Sequence, residues 1–278
     1  MTSTPQSQTQ RPLEGVLWML ASGLSFVGVN SIVRALGTDM PAAQSAFIRY
    51  AFGVVFFLPM LPGLIRQGLP KGATSLLLWR GVVHTFAVLL WFFAMARIPL
   101  AHVTAIGYLS PVILMLAGAL LLGEALTLRR GLAVAAALVG TLIVLRPGIE
   151  PVNIGHLGQI GAALCFAASY LFAKKLSGFV PASVVVAMMT FTVSLGLLPL
   201  ALWQWQPVTL VQVAALGIVA LLATMGHYMM SRAFAVAPMT VTQPVTFLNL
   251  VWAMLMGATF FGEGIDPWVL LGGGLIVG

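Results

Sequence analysis

AMARIPLAHVTAIGYLSPVILMLAGALLLGE, residues 94–124, returns in altered form as AFAVAPMTVTQPVTFLNLVWAMLMGATFFGE, residues 233–263. An ungapped shift of 139 positions sets Ala94 on Ala233, Ala96 on Ala235, Pro99 on Pro238, Leu109 on Leu248 and Val112 on Val251. Met115, Gly118, Ala119, Gly123 and Glu124 then fall on Met254, Gly257, Ala258, Gly262 and Glu263. Apolar sequence matches itself by chance at Ala, Leu and Val, so the joint recurrence of Pro, two Gly and Glu carries the argument for a fused duplication. Earlier landmarks agree to within one residue, since Ser25-Phe26 faces Cys165-Phe166 and Pro59 faces Pro199.

The medium follows from composition. Of 278 residues 60% are hydrophobic and 7% charged, with a mean hydropathy of +1.05; soluble domains carry about 25% charge. A bilayer core of about 30 Å takes about 20 apolar residues per helix, and the apolar runs have that length, so helices and not an alternating-pattern barrel are expected. The runs fall near 15–34, 44–62, 76–96, 100–122 and 129–146, then 157–174, 182–203, 210–231, 239–261 and from 267 onward. The fold expected is an all-α membrane protein of ten transmembrane helices in two inverted five-helix repeats, 15–146 and 157–278, behind a polar cytoplasmic segment, 1–14. The tenth run is short of a crossing at Gly278 and is expected to continue.

Five spans per repeat is odd, so the second repeat enters from the opposite side. With the amino terminus inside, Arg11, Arg66, Lys71, Arg80, Arg129, Arg130, Lys174, Lys175 and Arg232 fall on the cytoplasmic side, and Arg34, Arg49, Arg97 and Arg146 outside. Nine against four agrees with the positive-inside rule. The excess of Lys and Arg over acids is therefore a topology signal and not a nucleic-acid footprint. Trp18 and Trp79 near inner ends and Trp203, Trp205 and Trp268 near outer ends read as an aromatic belt. The single cysteine, Cys165, excludes an internal disulfide and a thiol zinc site, and is expected to be a packing residue. The polar start with no small-residue cleavage site argues for a retained first helix.

A helix opened by Ala-x-x-Pro (Ala96 to Pro99, Ala235 to Pro238) and closed by Gly-Glu (Gly123-Glu124, Gly262-Glu263) resembles the EamA type of the drug/metabolite transporter superfamily. The resemblance spans the whole chain and is greatest to the aromatic amino-acid exporters. It implies a ten-helix inner-membrane carrier that exports small metabolites, with amino acids, including aromatic and neutral ones, as the expected cargo.

Polar residues inside spans are costly and tend to face a bundle interior, so they nominate the pathway. Arg80, His84 and Trp91 share a helical stripe, as do Thr224, His227 and Ser231; Thr104, Tyr108 and Pro111 mark the fourth span, and Thr242, Thr246, Asn249 and Trp252 the ninth. With Asn30, Ser169 and Tyr170, the pathway set is Asn30, His84, Trp91, Tyr108, Ser169, Tyr170, His227, Thr246, Asn249 and Trp252. The histidines and Asn30 equally suit inter-helix hydrogen bonding, and the two tryptophans suit packing. Pro99, Pro111, Glu124, Pro238, Pro244 and Glu263 are read as hinge or helix-end residues, because a proline frees a carbonyl and Gly-Glu shapes a turn.

No Asp, Glu or Lys lies mid-span, so an ordinary proton relay or sodium site is not visible. Facilitative alternating access is favoured, without cofactor or metal. A proton-coupled efflux antiporter working through His84 or His227, and a passive channel, are the alternatives. Neither an HExxH helix, a paired-aspartate motif nor a nucleotide loop is present, so an enzyme is not expected. The partners expected are a small-molecule substrate and the lipid bilayer, with no nucleic acid; monomer and homodimer stay open.

Overall fold

The computed structural model describes residues 11–36, 40–95, 97–98, 100–123, 127–145, 153–261 and 267–277. Among them the chain is all-helical. The helices are α1 (Pro12–Leu36), α2 (Ala42–Phe57), α3 (Leu61–Gln67), α4 (Ala73–Met95), α5 (Leu100–Gly107), α6 (Leu109–Leu122) and α7 (Leu128–Leu145). They continue as α8 (Ile154–Ser177), α9 (Ala182–Trp203), α10 (Leu210–Val236), α11 (Met239–Thr242), α12 (Leu248–Phe261) and α13 (Pro267–Val277). Among the described residues seven stretches are long and apolar enough to cross a membrane: α1, Ala42–Gly63, α4, Val103–Leu121, α8, α9 and α10.

Local chemistry explains the ends. Pro12 opens α1, where its missing N–H costs nothing. Asn153 and Thr209 cap α8 and α10 in reciprocal capping boxes with His156 and Gln212. Lys174 donates to the Phe234 and Ala237 carbonyls at 2.7 Å each, placing a cation on the negative end of α10. Gly123 ends α6 at φ +69°, a conformation glycine adopts without strain. Its neighbour Glu124, together with Pro99, Glu263 and the segment 1–10, lies outside the described residues.

The repeat-related prolines behave differently. At Pro59, α2 tightens into a 3₁₀ turn, Leu58–Met60, whereas Pro199 is accommodated inside α9. The fourth and ninth runs, expected as continuous spans with kinks, are broken. The first breaks at Tyr108, between α5 and α6, just where Pro111 withholds the hydrogen bond that the Gly107 carbonyl would receive. The second passes through a 3₁₀ stretch, Gln243–Phe247, around Pro244, between α11 and α12.

Helix pairing follows the duplication. Packing of α4 on α8 is mirrored by α10 on α1, α4 on α9 by α10 on α2, and α6 on α8 by α12 on α1, while α2 packs on α9 and α7 on α13. Close approach needs small residues: a Cβ at Gly81 of α4 would collide with Thr192 of α9. Two large apolar clusters among the described residues flank the middle of the bundle. One includes Met19, Leu77, Leu176, Met230 and Phe234; the other includes Val29, Tyr50, Val88, Phe92, Leu197 and Val219. On α4 the chain runs from the first cluster (Ala73, Leu77) to the second (Val88, Phe92), and α10 runs the other way, from Val219 and Ala223 to Met230 and Phe234. The two repeat-related helices are therefore antiparallel. Outside, Leu13, Leu120, Leu132 and Leu210 are exposed apolar residues, as a lipid-facing surface requires. Trp79, Trp203, Trp205 and Trp268 are exposed near helix ends.

Two arginines assigned by sequence to opposite membrane faces require correction. Arg80 is 0% and Arg49 7% exposed, both within helices and not at the surface. Without them the positive-inside tally stands at eight against three.

A central cavity at the helix breaks

Between the two apolar clusters, α4 and α10 cross with their histidines facing. The His84 and His227 rings lie 5.2 Å apart, edge to face at 74°. His84 Nδ1 is 2.9 Å from Ser169 Oγ on α8, and Ser169 is itself fully buried. Phe26 meets His227 at 4.9 Å and Phe166 meets His84 at 5.3 Å, each edge-on, with Tyr170 stacked on Phe166 at 5.9 Å.

Beside this pair opens a cavity of about 240 Å³. Its walls come from α1 (Phe26, Asn30), α2 (Arg49), α4 (His84, Trp91), the α5–α6 break (Thr104, Tyr108, Pro111), α8 (Gln159, Phe166, Tyr170), α10 (His227) and the second break with α12 (Gln243, Thr246, Asn249). Both helix breaks thus face it. A proline-interrupted helix leaves backbone groups to be satisfied otherwise. Tyr108 N–H is shared between the Thr104 and Ala105 carbonyls at 3.3 and 3.2 Å, and Thr246 Oγ1 donates to the Gln243 carbonyl at 2.7 Å. Ser22 Oγ to Gly226 O (2.8 Å), Ser110 Oγ to Ala163 O (2.8 Å) and Gln159 Nε2 to Val103 O (3.0 Å) tie the surrounding helices together. Gln159 Oε1 and His227 Nδ1 have no hydrogen-bond partner among the described residues.

Eight residues of the pathway set line the cavity: Asn30, His84, Trp91, Tyr108, Tyr170, His227, Thr246 and Asn249. Ser169 lies behind His84 and not on the wall. Trp252 is 43% exposed and is not a lining residue. Pro111 lines the cavity, Pro244 sits within the 3₁₀ stretch, and Pro238 precedes α11. The two histidines do not superpose under the repeat, yet the antiparallel crossing brings them together.

Sequence reasoning missed Arg49, Gln159, Gln243, Phe26 and Phe166. For Arg49, Gln159 and Gln243 the signal was present, since each is a polar residue inside an expected span; Arg49 was counted as a topology charge instead. No comparable signal marked Phe26 and Phe166, whose roles depend on how the helices rotate in the packed bundle. Among the described residues no cluster of His, Cys, Asp and Glu could hold a metal.

The EamA-like transporter family model matches residues 13–146 and, a second time, 153–278. The chain belongs to the EamA-like transporter family. It is 32% identical to a riboflavin transporter of Vibrio cholerae over 96% of this chain and 91% of that one. It is 26% identical to the pseudopaline exporter CntI of Pseudomonas aeruginosa (95% and 93% covered) and 24% to an S-adenosylmethionine uptake transporter of Rickettsia bellii (95% and 90%). A solved structure superposes with a TM-score of 0.71 at 15% identity, over 95% of this chain and 93% of that chain, and so shares the fold. This EamA-like protein is a multi-pass membrane transporter and not an enzyme. Its relatives' cargoes are small metabolites, but none of these three is named for an amino acid, so the aromatic amino-acid exporters have no special standing among them.

Proposed function

We propose that this EamA-like protein carries a small planar aromatic or heteroaromatic metabolite by alternating access, with the central cavity as its binding site. The observation that carries the reading is the wall itself. Trp91, Tyr108, Phe166 and Tyr170 offer faces and edges for a ring, while Asn30, Gln159, Gln243, Asn249, Thr104 and Thr246 offer donors and acceptors for a polar rim. The similarity to riboflavin transporters favours a flavin-like ring as the first cargo to test, and aromatic amino acids as the second.

Ten spans in two inverted repeats are part of the same proposal. The antiparallel courses of α4 and α10 and the mirrored helix pairing support it, since related halves of opposite direction give the two access states comparable energies. The amino terminus is cytoplasmic in this reading, supported by eight positive charges against three, and the membrane is the inner one. Transport is outward and facilitative in this reading, because no Asp, Glu or Lys falls in the middle of an apolar run; Glu14, at the start of α1, pairs with Arg11 at 3.2 Å. The His84–His227 pair supports a second reading, proton coupling.

Initial rates in proteoliposomes for riboflavin, tryptophan and a lipophilic cation, with and without a pH gradient, separate these readings. Flux of the two aromatic solutes that ignores pH is expected. Flux of the cation alone would overturn the cargo assignment, and flux only under a pH gradient would establish the coupled reading.

A further inference from the structure

Among the described residues, the cavity contains a cation with no matching acid. Arg49 projects from α2 into the wall and is 7% exposed. Its guanidinium lies 4.5 Å over the Tyr50 ring, a contact that offsets part of the charge and holds the side chain in place. Arg80, one turn before His84 on α4, is a second buried guanidinium. It donates from Nη1 to the Val185 carbonyl at 2.7 Å, while its Nε and Nη2 have no partner among the described residues. Glu14, the single acid in the described residues, is held by Arg11 and Trp18 at the other end of the site's first helix.

The rest of the described wall is amides, hydroxyls, aromatic rings, apolar side chains and the two imidazoles, with no acid among them. None of these cancels a guanidinium, which stays protonated under all working conditions. An intramembrane cation left without a protein counter-charge is a site for a charge brought by the ligand. The planar fork of arginine matches a carboxylate with two parallel hydrogen bonds, a geometry lysine does not offer.

We propose that Arg49 is the anion receptor of the cavity, receiving a carboxylate attached to the aromatic cargo while the ring lies among Trp91, Tyr108 and Phe166. This rests on the aromatic-cargo reading above and adds to it a preference for a ring that carries a carboxylate over its neutral analogue. Arg80 raises the positive potential from behind without touching the cargo.

The test compares two ligands of one shape, indole-3-acetate and indole-3-acetamide, binding to the purified full chain in nanodiscs, with riboflavin measured alongside. In the unsubstituted protein the acetate binds about tenfold or more tighter than the acetamide, as charge-assisted hydrogen bonds imply. Arg49→Gln brings the two affinities within about twofold by weakening the acetate more than the acetamide, and Arg49→Lys restores part of the preference. The thermal unfolding midpoint of each variant, read beside that of the unsubstituted protein, shows that it is folded. Equal binding of the pair to the unsubstituted protein, or a preference that survives Arg49→Gln, overturns the assignment. Binding of riboflavin with neither indole also overturns it while leaving the aromatic-cargo reading standing; binding of none of the three removes both.

Discussion

Ser169 offers the cavity nothing directly, yet its hydroxyl sets the orientation of His84 from 2.9 Å away. Ser169→Ala leaves a buried imidazole nitrogen without that partner, and the expected loss is about 1–3 kcal/mol of stability, read as a lowered unfolding midpoint in detergent. Gly23 acts from the opposite wall. A Cβ there would collide with the Asn249 side chain. Gly23→Val is expected to push Asn249 off its position and raise the half-saturating cargo concentration about tenfold, the worth of one buried polar contact. At this scale a polar side chain that interrupts an apolar run was informative, as with Asn30, His84 and His227; Gln159 and Gln243 carried the same signal and were passed over. Phe26 and Phe166 were invisible because an aromatic residue in an apolar run looks the same whether it faces lipid, a neighbour or a cavity.

The elements that set this protein apart from a plain bundle are the two broken helices. Pro111 and Pro244 each free a backbone carbonyl beside the cavity, and the local relaxation is a shared hydrogen bond at Tyr108 and a 3₁₀ stretch at 243–247. Pro244→Ala restores an N–H donor and allows α11 and α12 to join. The expected outcome is a protein at least as stable, by thermal unfolding, with flux lowered about tenfold, as for other hinge substitutions. Reduced stability with unchanged flux would mean that the break is structural and not a hinge. The prolines were legible in the sequence; that they interrupt rather than bend their helices was not, because the outcome depends on which groups are near enough to satisfy the freed carbonyls. The charge of Arg49 was likewise visible inside the 44–62 run, but it was counted as an outer-side topology signal, whereas α2 carries it into the cavity wall.

For the whole molecule, the duplication read from residues 94–124 and 233–263 reappears as mirrored helix pairs and as the antiparallel crossing of α4 and α10. The direction of insertion is a separate matter, which rests on charge. Single cysteines placed in a Cys165→Ala background test it at Lys71 and Gln204, both exposed positions at opposite ends of the bundle in this topology. Gln204→Cys is expected to react with an impermeant maleimide added outside intact cells, and Lys71→Cys only after permeabilisation; the reverse pattern would invert the topology. What composition and repeats could not supply was the cargo, since family membership is compatible with chemically different metabolites. The central claim, a carrier with one site that alternates between faces, is tested most directly by counterflow of labelled riboflavin into proteoliposomes. Preloading with unlabelled riboflavin should accelerate entry, saturably and with loss of the effect in Trp91→Ala. Entry that rises linearly with concentration and ignores the preloaded solute would be that of a channel, and would contradict the account.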